Sequence, residues 1–159
     1  MAYDRGKAVR YAHKWAFKRN RHYLDFSGIG GDCTNFISQC LYAGGADMNY
    51  TEIFGWYYNS EDDRAAAWTG VQYLYNFLVK NDGPGPFGSD IPLYELLPGD
   101  IVQISFQKGI FSHSLLVVET GKKVTPDTVL IATHSLDSDY RPLSTYSMLT
   151  RRCLKIDVR

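Results

Sequence analysis

The apolar residues of this chain change their spacing near its middle, and that change restricts the fold more than any other feature. Up to residue 79 they recur every three or four positions, as on one face of a helix. From residue 100 onward they alternate with polar residues, as in strands with one buried face. The segment "NDGPGPFG" (81–88) separates the two halves and is expected to end all regular structure. Helices followed by strands predict an α+β fold, with N-terminal helices packed on a C-terminal antiparallel sheet.

Three helices are predicted in the first half. Residues 5–21 form an amphipathic pattern, with small and aromatic residues on one face and basic residues on the other. Residues 33–43 follow Asp32, whose carboxylate can cap the first turn, and stop at a glycine pair. The third helix is expected over 65–79, and the segment 46–63 before it is expected to be irregular.

Four strands are predicted in the second half, and their short connections favour antiparallel pairing. They are expected at 100–106, 113–119, 128–134 and 153–158. A chain of 159 residues is the usual size of one domain, so we expect a single domain over 1–159.

Charge and hydropathy limit the partners and the location. The 17 basic and 17 acidic residues cancel, so nucleic-acid binding has no general electrostatic support and none is expected. No apolar run is long enough to span a bilayer, and the first 15 residues lack the apolar segment of a signal peptide. Two locations stay open: inside the cell, or outside it at the cell wall as a piece of a longer secreted bacterial protein.

The three cysteines differ in their surroundings. An odd number of cysteines argues against a disulfide framework. The absence of a CxxC pair argues against a common structural zinc site. Cys40, in mid-helix, and Cys153, at a strand start, are typical of buried packing residues. Cys33 lies in "GGDCTNF", in the first turn of a predicted helix, where free N–H groups lower a thiol pKa and can stabilise an oxyanion. Gly30 and Gly31 allow a tight turn before it.

A cysteine nucleophile needs a base, which is usually a histidine. His13 lies in the first helix and is expected at the surface, whereas His22 is close enough to the cysteine in sequence to stay a candidate. His113 opens one predicted strand and His134 ends the next. If these strands pair antiparallel, the two rings are neighbours, and His134 can orient His113 by a hydrogen bond. The competing interpretation of each is a structural or surface histidine.

A metal site is the weaker alternative. Cys33, His113, His134 and Asp137 could be assembled into a zinc site, but they lack the local ligand pairs of most zinc motifs. No metal and no cofactor is therefore predicted.

Four stretches together resemble a known family. "GGDCTNFISQCLYAGG", "LLPGDIVQI", "FSHSLLVVE" and "LIATHS" occur in the order found in the Putative amidase domain family of papain-like fold. They are similar, more distantly, to the NlpC-type cell-wall cysteine peptidases. The resemblance covers nearly the whole chain, from Tyr3 to about Leu143, and its most specific part is "GGDCTNF". It implies a papain-like arrangement of the predicted helices and sheet, and a thiol hydrolase that needs no cofactor.

The resemblance also implies roles for particular residues. Cys33 matches the family's nucleophile, His113 its general base and His134 the third, orienting position. The backbone N–H of Cys33 would form part of the oxyanion hole, and Tyr23, ten residues upstream, is the candidate for a second contribution. Asp32 is the aspartate of the aspartate–cysteine pair that opens the helix.

The substrate that the resemblance implies is a peptide or a peptidoglycan-like polymer. Trp56 and Trp68 could line a groove for a sugar or a peptide, and core packing is the competing interpretation of both. The predicted function is therefore hydrolysis of amide bonds, with peptidoglycan stem peptides as the suggested target. Two alternatives stay open: a non-catalytic module of the same fold that binds cell wall, carbohydrate or peptide, and an acyl transferase.

Overall fold

The computed structural model of the protein describes residues 2–159, which form four helices and eight strands. The helices are α1 (Arg5–Trp15), α2 (Cys33–Ala43), α3 (Ala66–Thr69) and α4 (Val71–Lys80). The strands are β1 (Tyr58–Ser60), β2 (Asp63–Arg64), β3 (Pro86–Ile91), β4 (Ile101–Gln107), β5 (Ile110–Glu119), β6 (Leu130–Thr133), β7 (Ser138–Pro142) and β8 (Thr150–Val158). None of the helices in this part of the chain is both long and apolar enough to cross a membrane.

A six-stranded antiparallel sheet organises the fold. Its strand order is β3-β8-β4-β5-β6-β7, and β1 and β2 form a separate hairpin. Helices α1, α2 and α4 contribute to the core on one face of the sheet. The predicted α+β arrangement of helices on an antiparallel sheet is therefore confirmed.

The sheet is buried on both faces, and strand β5 shows how. Leu116 and Val118 pack into the core with the helices, whereas Leu115 and Val117 belong to a second cluster on the opposite face. Successive side chains of a strand point to opposite faces, so one strand serves both cores. The loop residues Leu96 and Leu143 belong to the second cluster. This two-sided burial explains why the sequence of β5 is nearly all apolar.

Helix α1 is shorter than the predicted 5–21. It ends at Trp15, whose carbonyl accepts a hydrogen bond from the Lys18 N–H (3.2 Å) and one from His134 Nε2 (2.8 Å). The first bond is the tighter three-residue turn that commonly closes a helix. The amphipathic pattern of the sequence continues past Trp15. In the structure, however, the Trp15 carbonyl bonds to His134, a residue distant in sequence, instead of continuing the helix.

Helix α2 has the predicted bounds, 33–43, whereas the helix predicted over 65–79 is divided. Gly70 is extended (φ −110°, ψ 129°) and separates α3 from α4. Apolar periodicity persists across such a break because the two short helices pack on the same core.

Two strands of the six-stranded sheet lie where the sequence predicted none, and both are edges of that sheet. Strand β3 pairs with β8 alone, and it begins at Pro86, within the segment that was expected to end all regular structure. A proline can begin an edge strand because its missing N–H costs no ladder bond there. Strand β7 pairs with β6 alone. Residues 46–63, expected to be irregular, include β1 of the small hairpin.

Candidate active site

The turn that leads into α2 needs its two glycines. Gly30 (φ +87°) and Gly31 (φ +101°) both adopt a left-handed backbone, which side chains with a Cβ rarely take. A Cβ built on Gly31 would lie 3.7 Å from Ser135 Oγ, so this turn borders the loop after β6. The tight turn expected before Cys33 is present.

Asp32 does not cap α2, and that prediction was wrong. Its carboxylate accepts hydrogen bonds from Phe26 N–H (2.8 Å) and Asn35 Nδ2 (2.9 Å) and meets His134 Nδ1 at 2.5 Å. Because these groups hold the carboxylate away from the helix axis, it satisfies none of the N–H groups of the first turn. The N–H of Phe36 is the first to bond within the helix, so the helix itself uses none of the N–H donors of 33–35, of which that of Thr34 points at the Cys33 thiol.

Cys33 is the first residue of α2, and its side chain is nearly enclosed at 7% exposure. Burial raises the pKa of the Cys33 thiol, because the charged thiolate loses its hydration. The backbone N–H groups of Ser114 and Thr34 and the Thr34 hydroxyl act in the opposite direction, but burial outweighs them. The lowered thiol pKa that the helix N-terminus led us to expect is therefore wrong for this structure.

His113 is the fourth residue of β5 rather than its first, because a turn at Gly109 (φ +77°) starts the strand at Ile110. It lies opposite Ile104 on β4, and its ring packs against Tyr146 with 5.9 Å between ring centroids. Among residues 2–159 its ring nitrogens make no hydrogen bond. Burial, with a smaller contribution from the charge of Arg141, lowers the pKa of His113 to about 4. The imidazole is therefore neutral near pH 7 and able to accept a proton.

His134 lies beyond the end of β6. The prediction that it hydrogen-bonds to His113 is wrong. Its Nδ1 meets Asp32 Oδ2 at 2.5 Å, and its Nε2 donates to the Trp15 carbonyl at 2.8 Å. The ring stacks on Phe36 with 4.1 Å between centroids. Both nitrogens are occupied, so the orienting hydrogen bond to His113 is not formed.

The pairing register explains this arrangement. Leu116 lies opposite Ala132, so continuing this antiparallel register by three residues along each chain segment brings Ser135, not His134, to the level of His113. A shift of one residue moves a side chain to the other face of a sheet. His134 therefore points toward the helices, and Ser135 shares the face of His113.

A cavity of about 610 Å³ opens beside the His113 ring. It is lined by Phe106, Ser112, His113, Ser135, Leu136, Arg141, Thr145, Tyr146 and Ser147. Ser135, which lines the cavity, also borders Gly31 in the turn before Cys33, whereas Gly31 and Cys33 are not among the lining residues. The Cys33 thiol lies near the backbone N–H of Ser114, the residue after His113, and no hydrogen bond joins the thiol to the His113 ring in residues 2–159.

Comparison with known proteins shows the family of the chain. The family model described as "Putative amidase domain" matches residues 2–156. The chain belongs to this family. It is 36% identical over 143 residues to the Bacillus subtilis (strain 168) protein named "Uncharacterized protein YhbB". That match takes in 87% of this chain and 43% of the relative, so the chain spans less than half of that protein's length. No solved structure matches the chain.

The amidase domain holds a buried polar chain behind Cys33 that the sequence did not indicate. Thr34 Oγ1 and Ser114 Oγ lie 2.9 Å apart, and Gln103 Nε2 donates to Ser114 Oγ at 3.1 Å. Arg152 donates to Gln103 Oε1 through Nε (2.9 Å) and Nη2 (2.7 Å). Gln103 alternates with apolar residues, which predicted a solvent-facing position, but it is fully buried. These contacts attach the start of α2 to β4 and β5.

The two tryptophans of the amidase domain do not line a groove. Trp56 and Trp68 are both fully buried, and their indole N–H groups donate to Ser38 Oγ and Asn35 Oδ1, each at 3.0 Å. Core packing, the competing interpretation, is the correct one.

Tyr23 packs on this aromatic cluster, with its ring 6.0 Å from that of Trp68. Cys40 and Cys153 are buried, as expected for packing residues.

The four residues considered as a weaker, zinc-binding alternative do not form a metal-binding group in the described residues. No group of three or more His, Cys, Asp or Glu side chains in residues 2–159 is arranged to hold a metal ion. Asp137 instead accepts hydrogen bonds from Arg19, at 2.8 Å and 3.0 Å.

Proposed function

We propose that this domain hydrolyses amide bonds with Cys33 as nucleophile and His113 as general base. One observation carries the proposal: Cys33, at a helix start without a side-chain cap, lies near the backbone N–H of Ser114, and the preceding strand residue, His113, lines a cavity and has no hydrogen-bond partner among residues 2–159. Membership of an amidase-domain family supports the same chemistry. The cysteine mechanism, and the papain-like relationship with it, are our proposal.

The proton state of the pair defines the first step. Burial raises the pKa of Cys33 and lowers that of His113, so the favoured state is a neutral thiol with a neutral imidazole. The His113 ring accepts the thiol proton as the sulfur attacks the amide carbonyl carbon. The carbonyl oxygen becomes an oxyanion that the free N–H groups at the start of α2 stabilise.

The later steps return the enzyme to its starting state. The imidazolium of His113 donates its proton to the amide nitrogen, the C–N bond breaks, and the amine leaves behind a thioester on Cys33. Water then attacks the thioester and gives a proton to His113. The C–S bond breaks, the carboxylic acid leaves, and the thiolate takes back the proton.

His134 has a supporting role in this proposal. Through Asp32 it ties the loop before α2 to the end of α1, and so fixes where Cys33 begins the helix. The ring of His113 is held by packing against Tyr146 instead of by a third polar residue.

We propose short peptides, including peptidoglycan stem peptides, as the substrate class. The support is the motif similarity to cell-wall peptidases, together with a cavity large enough for one or two amino-acid residues. The test uses a muropeptide digest and a set of N-acetylated dipeptides, with the products measured by mass spectrometry.

The matched pair of variants for this test lies on one helix. Cys33→Ala is expected to abolish product formation, whereas Cys40→Ala, the same change two turns later in the buried core, is expected to keep it. Hydrolysis that continues in Cys33→Ala would exclude the mechanism. Retained binding of muropeptides with no turnover in the wild-type protein would favour the non-catalytic binding module instead.

A further inference from the structure

The cavity beside His113 contains one permanently charged side chain, that of Arg141. The remaining lining consists of serine and threonine hydroxyls, His113 itself, and the apolar or aromatic residues Phe106, Leu136 and Tyr146. No aspartate or glutamate lines it. Such a surface favours a negatively charged ligand group and disfavours a positive one.

Arg141 is held in place without an acidic partner. Its Nε donates to Thr145 Oγ1 at 2.7 Å and its Nη2 to the Thr145 carbonyl at 3.3 Å. Its guanidinium carbon lies 3.7 Å from the centroid of the Tyr146 ring, a cation–π contact. No carboxylate of residues 2–159 lies within 4.0 Å of its guanidinium nitrogens. The side chain is therefore preorganised, and its charge is not compensated by an ion pair.

Hydrogen-bond donors remain unused at this wall of the cavity. An arginine has five N–H donors, and only two of those of Arg141 have protein acceptors. The hydroxyl of Tyr146 is buried close to the side chains of Ser138 and Arg141 but makes no well-aligned hydrogen bond with a described residue. The charge of Arg141 also reaches the catalytic base, because after burial it is the second cause of the lowered His113 pKa.

The chemistry of the proposed function tells which part of a substrate lies here. His113 must give its proton to the amide nitrogen, so the leaving amine lies against the His113 ring. The cavity shared by His113 and Arg141 therefore receives the leaving group, not the acyl group.

We propose that Arg141 binds a carboxylate on the leaving amine, so that the substrates are amides of amino acids whose carboxylate is free. This inference rests on the proposed function and defines its substrate class: an acylated amino acid, or a peptide cut before its C-terminal residue. The planar guanidinium fork suits a carboxylate better than a single point charge does.

The first test needs no substrate. Iodoacetate and iodoacetamide are a carboxylate and a carboxamide of nearly equal size, and the rate of alkylation at Cys33 by each is measured by mass spectrometry. Arg141→Gln is expected to lower the iodoacetate-to-iodoacetamide rate ratio by about fivefold, the factor of a partly screened ion pair. Arg21→Gln, the same charge change at an exposed site, is expected to leave the ratio unchanged.

A measurement on the wild-type protein covers the case in which Arg141→Gln does not fold. Salt screens the attraction between charges, so the rate ratio is expected to fall as sodium chloride is raised from about 0.01 M to 1 M. A ratio that changes neither with salt nor with Arg141→Gln overturns the inference.

The second test separates this inference from the proposed function. N-acetyl-alanyl-alanine, with a free carboxylate, is compared with its C-terminal amide in the wild type, Arg141→Gln and Arg141→Lys. We expect kcat/KM to favour the free carboxylate in the wild type, with that preference lost in Arg141→Gln and partly kept in Arg141→Lys. Equal hydrolysis of both peptides by the wild type overturns the inference and leaves the hydrolase intact. An Arg141-dependent alkylation ratio without hydrolysis of any amide supports the anion site and contradicts the proposed function.

Discussion

Two buried histidines, one within β5 and one just after the neighbouring strand β6, have opposite surroundings. His113 is 9% exposed, has no hydrogen-bond partner among residues 2–159 and faces a cavity. His134 is 1% exposed and has both nitrogens engaged, one with Asp32 and one with the Trp15 carbonyl. Burial is nearly the same for both rings, so burial does not distinguish them. What differs is whether a nitrogen is left to exchange a proton with a ligand.

The comparison assigns the two rings different tasks. A ring with a free nitrogen in a cavity can act on a substrate, at a cost in stability when it must become charged. A ring with two partners connects segments that are distant in sequence, here α1, the loop before α2 and the end of β6. Variants of the two histidines should therefore affect different measurements.

The largest effect is expected on catalysis. His113→Gln removes the base and is expected to lower kcat/KM by about a thousandfold, within the usual range for general base catalysis. His22→Gln is the matched control, because His22 is exposed and was the other candidate near Cys33 in sequence. Full activity in His113→Gln, or loss of activity in His22→Gln, would reverse the assignment.

The pH profile of the wild-type enzyme tests the same residue without substitution. Because burial lowers the His113 pKa to about 4, the free base persists to low pH. The acid limb of kcat/KM is expected near pH 4 instead of near the ordinary histidine value of 6.5. An acid limb near 6.5 would indicate an exposed base or a different one.

The next effect is on stability as a function of pH. Between pH 6.5 and about 4 the unfolded chain binds a proton at residue 113 and the folded chain does not. The free energy of unfolding should therefore fall as the pH is lowered through that window, by about 3 kcal/mol from this residue alone. Denaturant unfolding of the wild type and His113→Gln at several pH values measures the difference. Parallel curves for the two proteins would show that residue 113 contributes nothing to the pH dependence.

These residues also show which parts of the fold the sequence could predict. Helix α2 was predicted at its bounds, 33–43, because a glycine turn and a glycine pair mark its two ends. Strands β3 and β7 were missed because each pairs on one side only and has little apolar alternation to reveal it. Secondary-structure propensity and apolar periodicity are local properties of the sequence. They predict the helices and strands whose own side chains form the core.

The site itself was only partly predictable. A cysteine at a helix start and a histidine in a strand can be recognised from the sequence alone, so Cys33 and His113 could be singled out. The direction of the His134 side chain depends on the pairing register of β5 and β6, which puts Ser135 opposite His113. The sequence of one strand does not show whether its pairing is displaced by one residue. The thiol pKa depends on burial by distant segments, which no local motif specifies.

A smaller effect is expected at His134. His134→Leu removes the histidine partner of the buried Asp32 carboxylate, which keeps Phe26 and Asn35 as donors and Arg19 Nε at 3.5 Å, and it removes the histidine donor from the Trp15 carbonyl. The free energy of unfolding should fall by about 2 kcal/mol. The double variant with Asp32→Asn should cost less than the sum of the two single variants, because the residues form one network. Lost activity at unchanged stability would move His134 into the catalytic machinery.

The smallest effect is expected at the turn between β6 and β7, where two non-glycine residues adopt left-handed backbone. Ser135 has φ +67° and Leu136 has φ +58°, although side chains with a Cβ are strained there. Leu136 is 85% exposed, so its side chain contributes little packing. Leu136→Gly relieves the strain but adds entropy to the unfolded chain, and a net gain of about 0.5 kcal/mol in unfolding free energy is expected. Leu136→Ala removes the same side chain without relieving the backbone, so thermal unfolding should rank Gly above Ala. Leu136 lines the cavity, so a loss of activity that both variants share reports on its side chain. A further loss in Leu136→Gly alone reports on the rigidity of the turn, which places Ser135 beside His113 in the cavity wall.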